Sequence, residues 1–175
     1  MRRMKSGWLL GLLAVTLASV GCKSTSYKKF NLTVSLSDSY MRESGGASTA
    51  VDVVALGGQR AAPMDSYSMS RYWTENDPFR QQLLGEGMLW SVELSNASPS
   101  ATLSARDKIW NTKWKTGAKL YILADIVGVG PGADGRDPRR IALPRDAELW
   151  DTKKLDVQIT SQGMPYSPTE KVSGQ

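Results

Sequence analysis

Apolar and polar positions alternate along much of the chain. In residues 30–36, Phe30, Leu32, Val34 and Leu36 alternate with Asn31, Thr33 and Ser35. A period of two is the mark of a strand with one buried face. Residues 49–56, TAVDVVAL, are β-branched and apolar and predict a second strand, closed by the turn GGQRAAP. Residues 88–95 place Met88, Trp90, Val92 and Leu94 on one face of a third strand. Residues 118–127, AKLYILADIV, are the most apolar stretch after the N-terminus and predict a central strand. RRIAL at 139–143 predicts a short strand ended by Pro144, and 153–161, alternating through Leu155, Val157 and Ile159, a last one.

The segments between these strands differ in character. Residues 38–48, DSYMRESGGAS, predict a loop with Gly45-Gly46 as its breaker. Ser66, Tyr67, Met69, Tyr72 and Trp73 are spaced for a compact helical or irregular turn. Asp77 before Pro78 is a capping residue ahead of proline at the first helical position, and Gly85 is a stop, so 78–84 predicts a helix. Seven residues do not hold a helix alone in water, so Phe79, Leu83 and Leu84 must dock on the sheet. Residues 101–116 stay open between two readings. Ser104 and Asp107 allow a capped helix over 105–115 with Trp110 and Trp114 on one face, or a strand over 101–104 leads into irregular chain.

Six or seven short strands with one or two short inserted helices, and no regular helical crossovers, predict an all-β fold, a β-sandwich, over a doubly wound α/β sheet. The domain is expected to cover residues 30–164. A polar tether is expected over 22–29, and the Pro- and Ser-containing stretch from 165 to 175 reads as a disordered tail.

The N-terminus follows a different logic. Arg2, Arg3 and Lys5 precede fifteen uncharged residues, 7–21, and then the only cysteine among 175 residues, Cys22. Fifteen is short of the ~20 a membrane span needs and fits a signal peptide over 1–21. Ser19, Val20 and Gly21 before Cys22 resemble the lipobox of bacterial lipoproteins, with Ser19 where that pattern usually has Leu. This resemblance implies that Cys22 is acylated and becomes the mature N-terminus. A plain signal peptide with an incidental cysteine, or an uncleaved anchor, is the bland alternative. Lys23, where an aspartate would imply inner-membrane retention, points to the outer membrane by the same resemblance.

Charge and composition then narrow the function. The formal charge is +5, but removing 1–21 leaves 19 basic and 17 acidic residues, a net +2. The doublets Lys113/Lys115, Arg139/Arg140 and Lys153/Lys154 are scattered, whereas nucleic-acid binding wants a clustered basic face. With no histidine, imidazole chemistry is excluded. One cysteine permits neither an internal disulfide nor a CxxC pair. Gly128, Gly130 and Gly132 follow a strand, but Pro138 and another strand come next where a dinucleotide fingerprint needs a helix. Asp134 and Asp137 are too few for a calcium loop. The carboxylate pairs Asp134/Asp137 and Glu148/Asp151 form a dyad only if the fold brings them together. No nucleophile motif, metal site or cofactor is predicted. Trp73, Trp90, Trp110, Trp114 and Trp150 are a high load, so a lipid-anchored carbohydrate or cell-wall module with exposed tryptophans is the alternative function.

The order of elements resembles the TssJ-type lipoproteins of the type VI secretion system. The opening FNLTVSLSDS, YMRESGGAS and TAVDVVAL, the inserts MDSYSMSRYW and DPFRQQLLGEG, and the late AKLYILADIV and RRIALP are similar to that family's pattern over residues 22–164. The family's first loop often carries Asn-Pro-Asp and Gly-Arg-Pro stretches, and residues 39–48 carry neither. The resemblance implies a transthyretin-like two-sheet sandwich on the periplasmic face of the outer membrane. It implies that the first loop binds a TssM-like inner-membrane partner, and by position the contact residues would be Tyr40, Met41, Arg42 and Glu43. Tyr, Met and Arg are also enriched at interface cores.

Overall fold

The computed structural model describes residues 27–132 and 136–168. Two four-stranded sheets pack face to face. The first has β1 (Asn31–Leu36), β4 (Ser100–Leu103), β7 (Lys154–Ile159) and β8 (Tyr166–Ser167) in the order β4-β1-β7-β8. Its β1–β7 pair is parallel, with Leu32 opposite Leu155 and Val34 opposite Val157. The second has β2 (Thr49–Leu56), β3 (Trp90–Leu94), β5 (Lys119–Ala124) and β6 (Arg140–Pro144) in the order β3-β2-β5-β6, antiparallel throughout. The expected two-sheet β-sandwich is the fold the chain adopts.

The two sheets are covered differently, and the sequence pattern follows the covering. β1 and β7 alternate buried and more exposed residues, because one face meets the other sheet and the opposite face meets water. β2 and β5 are buried on both faces. Their inner residues Val51, Val53, Ala55, Leu120, Ile122 and Ala124 join Leu32, Val34, Leu155 and Val157 in the main core. Their outer residues Val54, Leu56, Tyr121 and Leu123 form a second core with Met64, Met69, Tyr72 and Leu83 of the helical insert. That is why TAVDVVAL and KLYILA read as nearly continuous apolar runs. Each fully buried Val, Leu or Ile contributes roughly 1.5–3 kcal/mol of transfer free energy.

The helical content exceeds the one or two helices expected. There are four α-helices among the described residues: α1 (Asp38–Glu43), α2 (Ala61–Ser66), α3 (Met69–Tyr72) and α4 (Pro78–Gly85). The helix predicted over 78–84 is α4, and Asp77 caps it by accepting from the Arg80 N–H at 2.9 Å. Residues 38–43 are helix rather than loop. Ser37 caps them by accepting from the Tyr40 N–H at 3.2 Å, and the buried Tyr40 ring pins the turn. The open segment 101–116 resolves as β4 followed by a 3-10 turn, Lys108–Trp110, and irregular chain. Tyr166 and Ser167 pair with Val157 and Asp156, so ordered sheet reaches into the stretch expected to be tail. Asp134, the signal peptide 1–21 and Cys22 lie outside the described residues.

Topology gives the sandwich two distinct ends. β1 enters from residues 27–30, β4 leaves into 104–118, and 145–153 joins β6 to β7 at that same end. A Cβ on Gly117 would come within 2.7 Å of the Ala55 backbone, so only glycine lets this connection cross the end of β2 so closely. At the other end lie the segments 37–48, 95–99, 125–132, 136–139 and 160–165. Six residues of strand separate the ends by about 20 Å.

Candidate functional site

The residues that the sequence singles out for partner binding sit at the far end, where β1 turns into α1. Tyr40 is buried, and its hydroxyl is 3.1 Å from the Thr49 hydroxyl. Met41 is half-buried against the main core. Arg42 and Glu43 are exposed. The side chains that face solvent are therefore the charged pair, and Tyr40 and Met41 hold the helix that presents them. Gly45 and Gly46, at φ 62 and 85, turn the chain toward β2. The neighbouring segment 95–99 closes on itself through Ser95 and Ser98, and the Ser48 hydroxyl donates to Glu93 beside it.

The described part of segment 125–139 flanks the same end. Its Asp137 accepts from Arg139 Nε at 2.9 Å and Nη2 at 2.7 Å, and Arg139 Nη2 also donates to Ser70. Burial pushes the Asp137 carboxyl up, but hydrogen bonds and charge from Arg139 outweigh it, and the carboxyl stays below its usual range. Asp125 goes the other way. Burial raises it, and Arg139 and Arg80 offset only part of that. A cleft of about 1170 Å³ runs between this segment and the β7–β8 turn, with Gly128, Gly130, Gly132, Ile141, Gln162 and Tyr166 in its wall. Among the described residues the element that follows the three glycines is β6, not a helix. Glu148 and Asp151 belong to the opposite end of the sandwich from Asp137, and Asp137 is already committed to Arg139.

The tryptophans are part of the frame. Trp110, Trp114 and Trp150 are all buried. Each indole N–H donates to a main-chain carbonyl: Trp110 to Ser104 at 2.9 Å, Trp114 to Met88 at 2.7 Å, Trp150 to Pro144 at 2.9 Å. Phe30 meets Trp150 and Trp110 edge to face at 5.1 and 6.4 Å, and Trp110 meets Trp114 at 4.8 Å. Together they plug the near end of the sandwich, and the open sugar-stacking platform expected of the alternative function is not formed by these three rings. Trp90 is half-buried against the main core, and half-buried Trp73 lies under the Arg80 guanidinium at 4.9 Å.

Two buried charges escape sequence reasoning. Asp52 is the one charged residue of β2 and points into the helical layer. It accepts from Tyr72 Oη at 2.9 Å, Arg80 Nε at 2.8 Å and Ser91 Oγ at 2.5 Å. A lone acid inside an apolar strand is the signal that could have found it. Arg145, directly after β6, is 1% exposed. It donates to the carbonyls of Lys28, Trp114 and Gly117 at 2.9, 2.8 and 2.6 Å and stacks on Trp110 at 5.0 Å. Burial pulls its guanidinium down to about 10. No linear pattern marks it. Among the described residues, no group of three His, Cys, Asp or Glu side chains is placed to hold a metal ion, and no helix is long and apolar enough to cross a membrane.

No family model matches the chain, and no curated protein matches it. Several solved structures are similar to it. One, described as "Type VI membrane complex", is 15% identical, with 82% of this chain and 100% of that chain aligned at a TM-score of 0.49. A second, described as the C-terminal domain of the T6SS protein TssM from EAEC, is 16% identical over 80% and 98% of the two chains, TM-score 0.48. A third, the T6SS lipoprotein TssJ1 from Pseudomonas aeruginosa, is 16% identical over 85% and 100%, TM-score 0.43. The likeness is a distant one, of fold.

Proposed function

We propose that this chain is a lipid-anchored envelope protein of a type VI secretion-type membrane complex. Acylated Cys22 holds it on the periplasmic face of the outer membrane, and its far-end loops recruit a TssM-like inner-membrane partner. The observation that carries the reading is positional. The chain enters β1 at one end of the sandwich, and α1 leaves β1 at the other. An anchor on the first end and a contact on the second place the domain between two membranes without competing for surface. The sequence resemblance supplies the family, and Cys22 behind a lipobox-like triplet supplies the anchor. Two or three acyl chains on one residue hold a protein on a membrane stably, whereas a single chain binds weakly and reversibly. No catalytic step is assigned to the protein.

The contact is assigned to Arg42 and Glu43 on α1, with Tyr40 and Met41 as the support beneath them. The test is binding of the purified periplasmic domain of the TssM-like protein from the same source. Arg42→Glu with Glu43→Arg is expected to abolish that binding while leaving thermal unfolding unchanged. Wild-type binding by the double variant removes α1 from the contact. Cys22→Ala is expected to leave the precursor unprocessed or to move the domain to the soluble fraction. A processed, membrane-bound Cys22→Ala protein overturns the anchor.

A further inference from the structure

The modest net charge of the mature chain hides a polarity. The segments at the tether end, 27–30, 104–118 and 145–153, carry eight Lys or Arg and four Asp or Glu. The described residues at the far end, 37–48, 95–99, 125–132, 136–139 and 160–165, carry three and four. Hydrogen bonds draw the basic segments around Phe30. The Asn31 N–H donates to the Lys153 carbonyl at 2.6 Å, the Ala105 N–H to Asn31 Oδ1 at 2.8 Å, and Lys29 Nζ to Asn111 Oδ1 at 2.5 Å. Two of the acids at this end are spent as caps. Asp107 accepts from the Ile109 N–H and Asp146 from the Glu148 N–H. Lys108, Lys115 and Lys153 are exposed.

We infer that the tether end is a second membrane contact, a basic surface that seats the sandwich on anionic phospholipid headgroups. The inference rests on the anchored reading above and adds an orientation to it. Residues 23–27 separate Cys22 from Lys28, so the tether cannot stretch beyond about 20 Å. The end carrying the lysines is thus the end that must face the bilayer. A tether alone lets the domain tumble at that distance, since fields from anionic lipid fade within a Debye length of about 8 Å. Each lysine brought to an anionic surface shifts the seated-to-free ratio by on the order of fivefold, so three exposed ones suffice to hold the domain down. The seated domain then points α1 and the 125–139 segment straight away from the membrane.

The test uses the full processed chain, reconstituted into vesicles of phosphatidylcholine alone or with phosphatidylglycerol added. A fluorophore is placed on Thr112→Cys at the tether end or on Ala97→Cys at the far end, and a headgroup-linked quencher reports proximity. With phosphatidylglycerol, quenching at 112 is expected to exceed that at 97 well beyond the excess seen on phosphatidylcholine. Lys108→Glu with Lys115→Glu and Lys153→Glu, or high salt, is expected to return the excess to the phosphatidylcholine level, with thermal unfolding unchanged. An excess that is the same on both lipids, or that survives charge reversal, overturns the inference while the anchor stands. Mass spectrometry of the reconstituted chain reads the anchor separately. An unmodified Cys22 brings down the anchored reading and this orientation with it.

Discussion

Arg145 and Lys28 bind each other in both directions. Arg145 Nε donates to the Lys28 carbonyl at 2.9 Å, and the Lys28 N–H donates to the Arg145 carbonyl at 2.7 Å. The end of the predicted tether is therefore sewn to the domain before β1 begins. The same guanidinium ties down the carbonyls of Trp114 and Gly117, so one side chain fixes the N-terminal entry and the 104–118 connection together. Arg145→Met keeps most of the apolar volume and leaves the Lys28 and Gly117 carbonyls without their donor, while the Trp114 carbonyl keeps the Gly117 N–H at 3.1 Å. A buried unpaired polar group costs about 1–3 kcal/mol, so the variant is expected to lose at least about 2 kcal/mol in urea unfolding. A loss below about 1 kcal/mol would show that water replaces the guanidinium at no cost.

Asp52 plays the corresponding part in the helical layer. Tyr72, Arg80 and Ser91 converge on it, and the Tyr72 hydroxyl is pushed well above its ordinary range by burial and then by the adjacent Asp52 charge. Asp52→Ala strands a partly buried guanidinium and is expected to cost roughly 3–5 kcal/mol. Tyr72→Phe removes one donor of three and is expected to cost about 1–2 kcal/mol. Combining Asp52→Leu, Arg80→Met and Tyr72→Phe replaces the charges with apolar volume and is expected to recover most of the Asp52→Ala loss. Denaturant midpoints of the three variants check the order.

How much of this was legible depends on which physical signal each residue leaves in the chain. β2 and β5 were readable because burial on both faces demands long apolar runs. α4 was readable because Asp77-Pro78 is a local signal that needs no tertiary context. α1 was not readable. Its six residues span less than two turns and show no periodicity, and Tyr40 is drawn inward by packing against the sheets. β8 is two residues that pair only because β7 is beside them. Of the proposed attachment and contact residues, Cys22 and the 38–48 region stood out by uniqueness and residue type. The division of labour within α1, with Tyr40 and Met41 inside and Arg42 and Glu43 outside, follows from where β1 ends, which no linear pattern encodes.

That division separates two ways of losing the proposed partner. Tyr40→Ala removes a buried ring and its link to Thr49, and is expected to cost about 3–5 kcal/mol of stability, as large-to-small aromatic changes in cores do. Its partner binding should fall in proportion to the unfolded fraction and recover on cooling or with osmolyte. The Arg42→Glu, Glu43→Arg pair should lose binding with no change in unfolding. Calorimetric melting and partner titration on the same samples distinguish them. Equal destabilisation by both variants would place the charged pair in the fold's support instead.

Asp125 and Asp137 of segment 125–139 have opposite signs in a pH titration of stability. Asp137 is held below its ordinary 3.8 in the folded state. Its contribution is therefore present above 3.8 and lost as the pH falls through the lower folded value. Asp125 is raised above 3.8. Between 3.8 and that raised value the folded state holds the extra proton, so stability declines as the pH rises through this window, and at neutral pH the buried charge is a net cost. Asp125→Asn is then expected to stabilise the domain at pH 7, by about 0.5 kcal/mol or less, and to lose that gain below pH 3.8. Asp137→Asn is expected to destabilise at pH 7 and to approach wild type in acid. Urea midpoints at neutral and acid pH read both trends. A neutral-pH loss in Asp125→Asn would mean that Arg139 and Arg80 draw more from that charge than its burial costs.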